Sequence, residues 1–343
     1  MTKTEILLIY TGGTIGMMKD PETGLLKPFD FGQISSQVPE IKQFGFHVES
    51  IQFSPLIDSS NVDSEFWKKL VDIIKENYEK YEGFVILHGT DTMSFTASAL
   101  SFMLEGLFKP VILTGSQLPI GTLRTDGKEN LVTAIEIAAA KENNRPIVPE
   151  VCIYFENKLY RGNRTTKHNA EHFDAFQSNN YPILAEAGIH IHYNYKAIYY
   201  SEHKRVLKTY TNLDNNIALL KIFPNINKTV VESVLQTKGL KGVVMETFGS
   251  GNAPTNKWFI DALRDAVNRG IVIINITQCA RGSVEMGRYE TSSELVNIGI
   301  ISGFDITTEA AITKLMFLLG QNLTHNEVAM YMGISLAGEL TVQ

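Results

Sequence analysis

The chain has 343 residues, 44% hydrophobic and 20% charged, an ordinary globular composition with enough apolar mass for about two domains. A net charge of -6, with no run of like charge, argues against a nucleic-acid binder, which needs clustered lysine and arginine. Only two cysteines occur, Cys152 and Cys279, too few for a disulfide framework or a zinc cluster.

No segment approaches the roughly 20 apolar residues of a membrane span, and no signal-peptide pattern follows the short apolar stretch at the start. A cytoplasmic protein is therefore expected, with no membrane and no nucleic-acid partner.

EILLIY at 5–10 predicts a buried strand. FWKKLVDIIKENY at 66–78 puts Phe66, Leu70, Ile73 and Ile74 on one face and predicts a helix. FVILHG (84–89), PVILTGS (110–116) and VCIYF (151–155) predict further strands, with Cys152 in the core. SFTASALSFMLEGL (94–107) and GKENLVTAIEIAAAKE (127–142) predict the helices between them. This alternation predicts an α/β fold, with a large N-terminal domain over 1–193 built on a mostly parallel sheet with helices on both faces. Residues 194–213 lose the pattern and predict a linker, where Tyr195, Tyr199 and Tyr200, with Tyr193 just before, pack between domains. A smaller C-terminal α/β domain over 214–343 follows. Its strands are expected at 217–223, 242–249 and 271–277. Its helices are expected around Val230–Leu235, Trp258–Asn268, Glu309–Leu319 and Glu327–Met332.

The first strand runs into Thr11-Gly12-Gly13-Thr14-Ile15-Gly16. A dinucleotide fingerprint fails there, because Thr11 stands two before Gly13. A P-loop fails too, because Met17-Met18 follows Gly16. The glycines permit a tight turn and a close backbone approach, and Thr14 falls at the carboxyl end of a strand, where open α/β sheets bind ligands. A second strand ends in His88-Gly89-Thr90-Asp91-Thr92. Either Asp91 or Thr92 would suit a helix cap, but a cap does not account for two hydroxyls and a carboxylate beside a glycine. Thr114-Gly115-Ser116-Gln117 and Arg161-Gly162-Asn163-Arg164-Thr165-Thr166-Lys167 follow two later strands. Four strand ends are thus expected to bring polar, glycine-containing turns to one sheet edge.

TGGTIG (11–16), HGTDTM (88–93), TGSQLP (114–119), RGNRTTK (161–167) and GSGNAP (249–254), with LIDSSN (56–61) and ITQC (276–279), resemble the bacterial-type L-asparaginases, and most closely the cytoplasmic type I group. The resemblance spans nearly the whole chain. It implies two α/β domains, a homodimer or homotetramer, and hydrolysis of the side-chain amide of L-asparagine to aspartate and ammonia, with L-glutamine a weaker substrate and no cofactor or metal. Thr14 resembles the family's nucleophile, and Thr90, Asp91 and Lys167 its second cluster, with the logic of nucleophile or water activator, base and orienter. A carboxylate beside a lysine favours its ammonium form, so Lys167 is expected to position protons rather than act as a free base. By the same resemblance Asp58, Ser59 and Ser60 line the substrate pocket, Thr90 and Asp91 contact substrate, and Asn252 is supplied across a dimer interface.

Two departures stand out. Many members carry a tyrosine in the loop after the first motif; here the matching stretch is Thr23-Gly24-Leu25-Leu26, in a segment from about Met17 to Phe31 expected to act as a lid. Some type I members bind a regulatory asparagine through an arginine; here Glu246 occupies that place, and a carboxylate cannot replace a guanidinium. His168-Asn169-Ala170-Glu171-His172 matches an inverted zincin motif but lacks a third ligand and a firm helix, so no zinc is expected. His190 and His192 alternate and are expected on a polar edge or interface. The competing functions are a non-catalytic amino-acid-binding sensor, which the four reactive residues together disfavour, and an ammonia-generating amidotransferase-like subunit. The latter carries an extra N-terminal domain, whereas here the nucleophile strand begins almost at Met1. A nucleotide-binding oxidoreductase is disfavoured by the missing first glycine.

Overall fold

Strand β1 (Glu5–Tyr10) is apolar on both sides because it is flanked on both edges and covered on both faces. It pairs in parallel with β2 (His47–Gln52) and β3 (Gly83–Leu87), and the sheet continues in parallel through β4 (Val111–Thr114) and β5 (Val151–Phe155). Antiparallel strands β6 (Lys158–Arg161), β7 (Ala185–Ala187) and β8 (Ile191–Tyr193) complete eight, in the order β8-β7-β6-β5-β4-β3-β1-β2. This computed structural model describes residues 4–19, 23–24, 26–28, 38–200, 206–287 and 290–341.

Alternate residues of the central strands feed different layers. Ile6, Leu8 and Tyr10 of β1 and Val85 and Leu87 of β3 join Leu131, Ala134 and Ile135 of helix α3 (Gly127–Ala139) in one core. Phe84 faces the other way and stacks on Tyr78, the residue capping helix α1 (Ser64–Asn77). On that face helix α2 (Met93–Met103) is tied to α1 by the bond from Trp67 Nε1 to Thr96 Oγ1, 3.0 Å. Helices thus cover both faces of a mostly parallel sheet, as the alternating pattern predicts.

The chain divides into two compact units, 1–211 and 212–343. In the second, β9 (Ile217–Lys221), β10 (Gly242–Thr247), β11 (Val272–Thr277) and β12 (Ile301–Ser302) form a parallel sheet in sequential order. Helices α4 (Lys228–Leu235) and α5 (Lys257–Asn268) share a core with one face of it. Helix α6 (Glu290–Asn297) precedes β12, and α7 (Thr308–Leu319) and α8 (His325–Met332) follow it. Gly242 faces α7 so closely that a Cβ there would stand 2.7 Å from Leu315 Cδ2.

Several expectations are corrected. The helix predicted over 94–107 ends at Met103, because Leu104–Glu105 pairs with Lys208–Thr209. The one predicted over 127–142 ends at Ala139, where Lys141–Glu142 turns back on Arg145–Pro146. Edge strand β2 is half exposed and carries no apolar run to mark it. The segment 194–200, expected as linker, is hydrogen-bonded into the first unit: Ala197 O accepts from Arg161 Nη2 and Tyr181 Oη, and Tyr199 N–H donates to Glu150. Buried Arg161 pairs with Glu150 at 2.6 Å and lies over the Tyr181 ring. Among the described residues no helix is long and apolar enough to cross a membrane.

Candidate active site

The first five strands have the spatial order 2-1-3-4-5, so the connections diverge between β1 and β3. A crevice opens at such a divergence, beyond the carboxyl ends of the strands. Thr11–Thr14 leaves β1 at that edge, His88–Asp91 leaves β3, Gly115–Gln117 leaves β4, and the segment holding Asp58, Ser59 and Ser60 follows β2. The fourth turn arrives differently. Glu156 and Asn157, both at positive φ, close a tight hairpin that sends β6 back antiparallel to β5. Arg161-Gly162-Asn163-Arg164 therefore lies towards the opposite end of the sheet, buried, and Arg161 and Arg164 stack on Tyr181. The chain returns through Thr166–Lys167, which pairs with Phe176–Gln177 and carries Lys167 to the site.

Glycines bring the loops into backbone contact. Gly13 has φ 88, and a Cβ on it would stand 2.6 Å from Gly89 N, so the residues preceding Thr14 and Thr90 touch directly. A Cβ on Gly12 would land on the Ile57 carbonyl oxygen, and one on Gly89 would stand 2.5 Å from Ser59 Oγ. Thr92 Oγ1 donates to Ser59 O at 2.6 Å, joining the β2 and β3 loops again. Thr92 stands at the N-cap position of helix α2, but its side chain makes no capping bond there. Thr14 opens a single 3-10 turn, Thr14–Gly16, and among the described residues its hydroxyl has no hydrogen-bond partner.

Lys167 Nζ donates to Thr90 Oγ1 at 2.8 Å and to Asp91 Oδ1 at 2.7 Å. The lysine side chain is 16% exposed and the Asp91 carboxylate 66%, so the ion pair runs from the interior to the solvent side of the site. With the ammonium donating to its oxygen, Thr90 keeps its own proton free to point elsewhere. Behind Lys167, His168 N–H and Asn169 N–H donate to Ala175 O, and Asn169 Oδ1 accepts from the N–H groups of Glu171 and His172. The inverted zincin match is thus a side-chain-capped turn. Among the described residues no group of three His, Cys, Asp or Glu is placed to hold a metal.

Two supports were not apparent in the motifs. His88 is buried; its Nδ1 lies 2.6 Å from Gly89 O and its Nε2 2.9 Å from Thr96 Oγ1. A carbonyl only accepts, so Nδ1 carries the proton and Nε2 accepts from Thr96, which in turn accepts from Trp67. Burial holds the imidazole pKa down at about 4 and keeps it neutral. Asp126 accepts from Gln117 N–H at 2.9 Å and Leu118 N–H at 3.2 Å, and burial raises its pKa above the usual carboxylate value. The loop it fixes donates Ile120 N–H to Ile15 O, 3.2 Å, inside the Thr14 turn, and Gln117 Nε2 reaches His172 O beyond Lys167.

Asp58 accepts from Ser60 N–H and Ser60 Oγ at 2.9 and 2.7 Å, which holds its carboxyl below the usual range, ionised and facing solvent. Ser59 is buried beneath Gly89, while Ser60 is exposed. Asn252 belongs to the second unit, where it exchanges two backbone bonds with Phe248 across a tight turn that contains Gly249 and Gly251, both at positive φ. Glu246, also in the second unit, is 6% exposed and held by Lys221 Nζ at 2.9 Å and Thr308 Oγ1 at 2.7 Å. Residues 20–22, 25 and 29–31 of the segment expected as a lid lie outside the described residues; within it Met17–Lys19 pairs antiparallel with Leu26–Pro28.

Two family models match in succession, asparaginase N-terminal over residues 5–199 and glutaminase/asparaginase C-terminal domain over 216–332. L-asparaginase 1 of Escherichia coli K12 is 45% identical over 350 residues, covering 99% of each chain. The 60 kDa lysophospholipase of Mus musculus is 40% identical over 98% of this chain, which spans 62% of that longer protein. The crystal structure of L-asparaginase I from Vibrio cholerae superposes with a TM-score of 0.92 at 42% identity, covering 99% of this chain and 100% of that one. With both domain models matched in order and full-length relatives sharing over two-fifths of its residues, the chain belongs to the asparaginase family.

Proposed function

We propose that the chain is an L-asparaginase, an amidohydrolase that converts L-asparagine to L-aspartate and ammonia. The observation that carries this is the Lys167 ammonium bonded at once to Thr90 and Asp91 beside the glycine-locked Thr14 turn. Thr14 Oγ attacks the side-chain carbonyl, the C–N bond breaks, and the hydroxyl proton leaves with ammonia. Water then cleaves the resulting ester, returns a proton to Thr14 and releases aspartate. Thr90, polarised by Lys167, donates its free proton towards the reacting amide and orients the water, and Asp91 holds the lysine. Backbone N–H groups near Thr90 suit the oxyanion, each worth about 3 kcal/mol.

Asp58 and Asp91, both solvent-facing carboxylates, match the substrate α-ammonium, and the hydroxyl and turn N–H of Ser60 with Ser59 match its α-carboxylate. Asn252 completes the site of a partner copy, so the working form is a homodimer or homotetramer in the cytoplasm. Because the Glu246 carboxylate is already committed to Lys221 and Thr308, it offers nothing to the carboxylate of a regulatory asparagine, and regulation there is altered or absent.

Ammonia release from L-asparagine and L-glutamine, from micromolar to millimolar substrate, with and without a chelator, tests this. Chelator-insensitive release that favours asparagine, with a hyperbolic curve, is the expected result. No release from either amide would overturn it in favour of a non-catalytic sensor.

A further inference from the structure

The Thr14–Gly16 turn must hold the attacking hydroxyl still, yet the loop that follows it lacks the tyrosine found in many relatives. Gly16 is not in the left-handed region, so its backbone would accept any residue. What excludes a side chain there is Tyr10. A Cβ on Gly16 would land on the Tyr10 hydroxyl and Cζ and stand 2.6 Å from Cε2. Tyr10 is 1% exposed and lies in the core with Ile15 of the same turn. The turn is pinned from other sides as well: Ile120 N–H donates to Ile15 O, and a Cβ on Gly127 would stand 3.3 Å from Ile15 Cγ1. Gly16 is therefore a docking place for an aromatic ring, and the ring is the floor of the turn.

We propose that Tyr10 is a positioning residue for catalysis, setting the height of the Thr14–Gly16 turn and so the aim of the Thr14 hydroxyl. This rests on Thr14 being the nucleophile. Tyr10 does not replace the loop tyrosine as a base. Burial pushes its hydroxyl up to about 12, so it stays protonated wherever the enzyme works. Its ring, carried at the end of β1 and seated against Gly16, supplies the floor of the turn. A misplacement of about 1 Å at a reacting atom costs on the order of 100-fold in rate, so loss of this floor falls on kcat.

The experiment compares Tyr10→Phe, Tyr10→Leu, Gly16→Ala, the Tyr10→Leu/Gly16→Ala pair and Thr14→Ala, each read as kcat, KM for asparagine and thermal midpoint. Tyr10→Phe keeps the ring and is expected to retain most of kcat. Tyr10→Leu and Gly16→Ala are each expected to lose on the order of 10- to 100-fold in kcat with KM nearly unchanged. The pair is expected to recover much of what Gly16→Ala loses, because the new methyl enters the space the ring leaves. A folded Tyr10→Leu with full kcat, a loss confined to KM, or a pair no better than Gly16→Ala overturns the proposal. If Tyr10→Leu does not fold, Gly16→Ala decides alone: wild-type kcat overturns it, and a depressed kcat with intact KM supports it. Near-full turnover by Thr14→Ala would instead remove the nucleophile assignment, whatever the Tyr10 variants do.

Discussion

Acidification should unlock the first unit through one residue, His88. The imidazole is neutral in the fold with a pKa of about 4, against an ordinary value of 6.5. Above pH 6.5 both folded and unfolded chains hold it neutral, and its contribution to stability is fully present. As pH falls from 6.5 towards 4 the unfolded chain takes up a proton that the fold refuses, so stability is lost across that window. At about 1.4 kcal/mol per pH unit the full loss is about 3 kcal/mol, most of it incurred by about pH 4.5. The structural cost is explicit. A second ring proton on Nε2 would face Thr96 Oγ1, which already accepts from Trp67, and the Thr96 hydroxyl would lose its acceptor. Urea unfolding at about pH 7.5 and pH 4.5, for wild type and His88→Gln, measures it. Glutamine can still donate to Gly89 O and accept from Thr96 but does not titrate. The wild type should lose about 2–3 kcal/mol more than the variant over this interval. Equal losses would mean that His88 is not held neutral by burial.

Two further outcomes follow from the same geometry. Lys167→Met should lower kcat by about 10²- to 10⁴-fold while circular dichroism and the thermal midpoint stay near wild type, since the side chain ends at the site; a loss under about tenfold would contradict its part in the Thr90 relay. In the second unit Lys314 and Glu339 are fully buried and paired at 2.6 Å, and burial lowers the Lys314 pKa. Lys314→Met should therefore destabilise by about 3–5 kcal/mol in chemical denaturation, because Glu339 is left charged in the interior; an effect under about 1 kcal/mol would show that the pair relaxes to water.

What was legible in the sequence follows period and burial. β1, β3, β4 and β5 are covered on both faces, so they read as unbroken apolar runs, and helix α1 declares itself by one apolar stripe, whereas α2 is buried over nearly its whole surface. Half-exposed β2 and the short antiparallel strands β6–β8 have no such run, and missing β6 misplaced Arg161 and Arg164 at the site edge. Lys167 was singled out by resemblance, but its approach through a returning ribbon was not visible, because nothing local specifies it. Tyr10 and Asp126 escaped notice for a related reason. Each acts on a turn several residues away, through a ring filling a glycine's space or a carboxylate gathering backbone N–H groups, and such contacts leave no periodic signal.

The central claim is that asparagine is hydrolysed through an ester on Thr14. Turnover quenched in acid within one cycle, followed by mass analysis of the peptide containing Thr14, tests it most directly. A peptide heavier by one β-aspartyl group, present during turnover and absent from Thr14→Ala, is the predicted result. Rapid ammonia release with the adduct on Thr90, or ammonia release undiminished in Thr14→Ala, would contradict it.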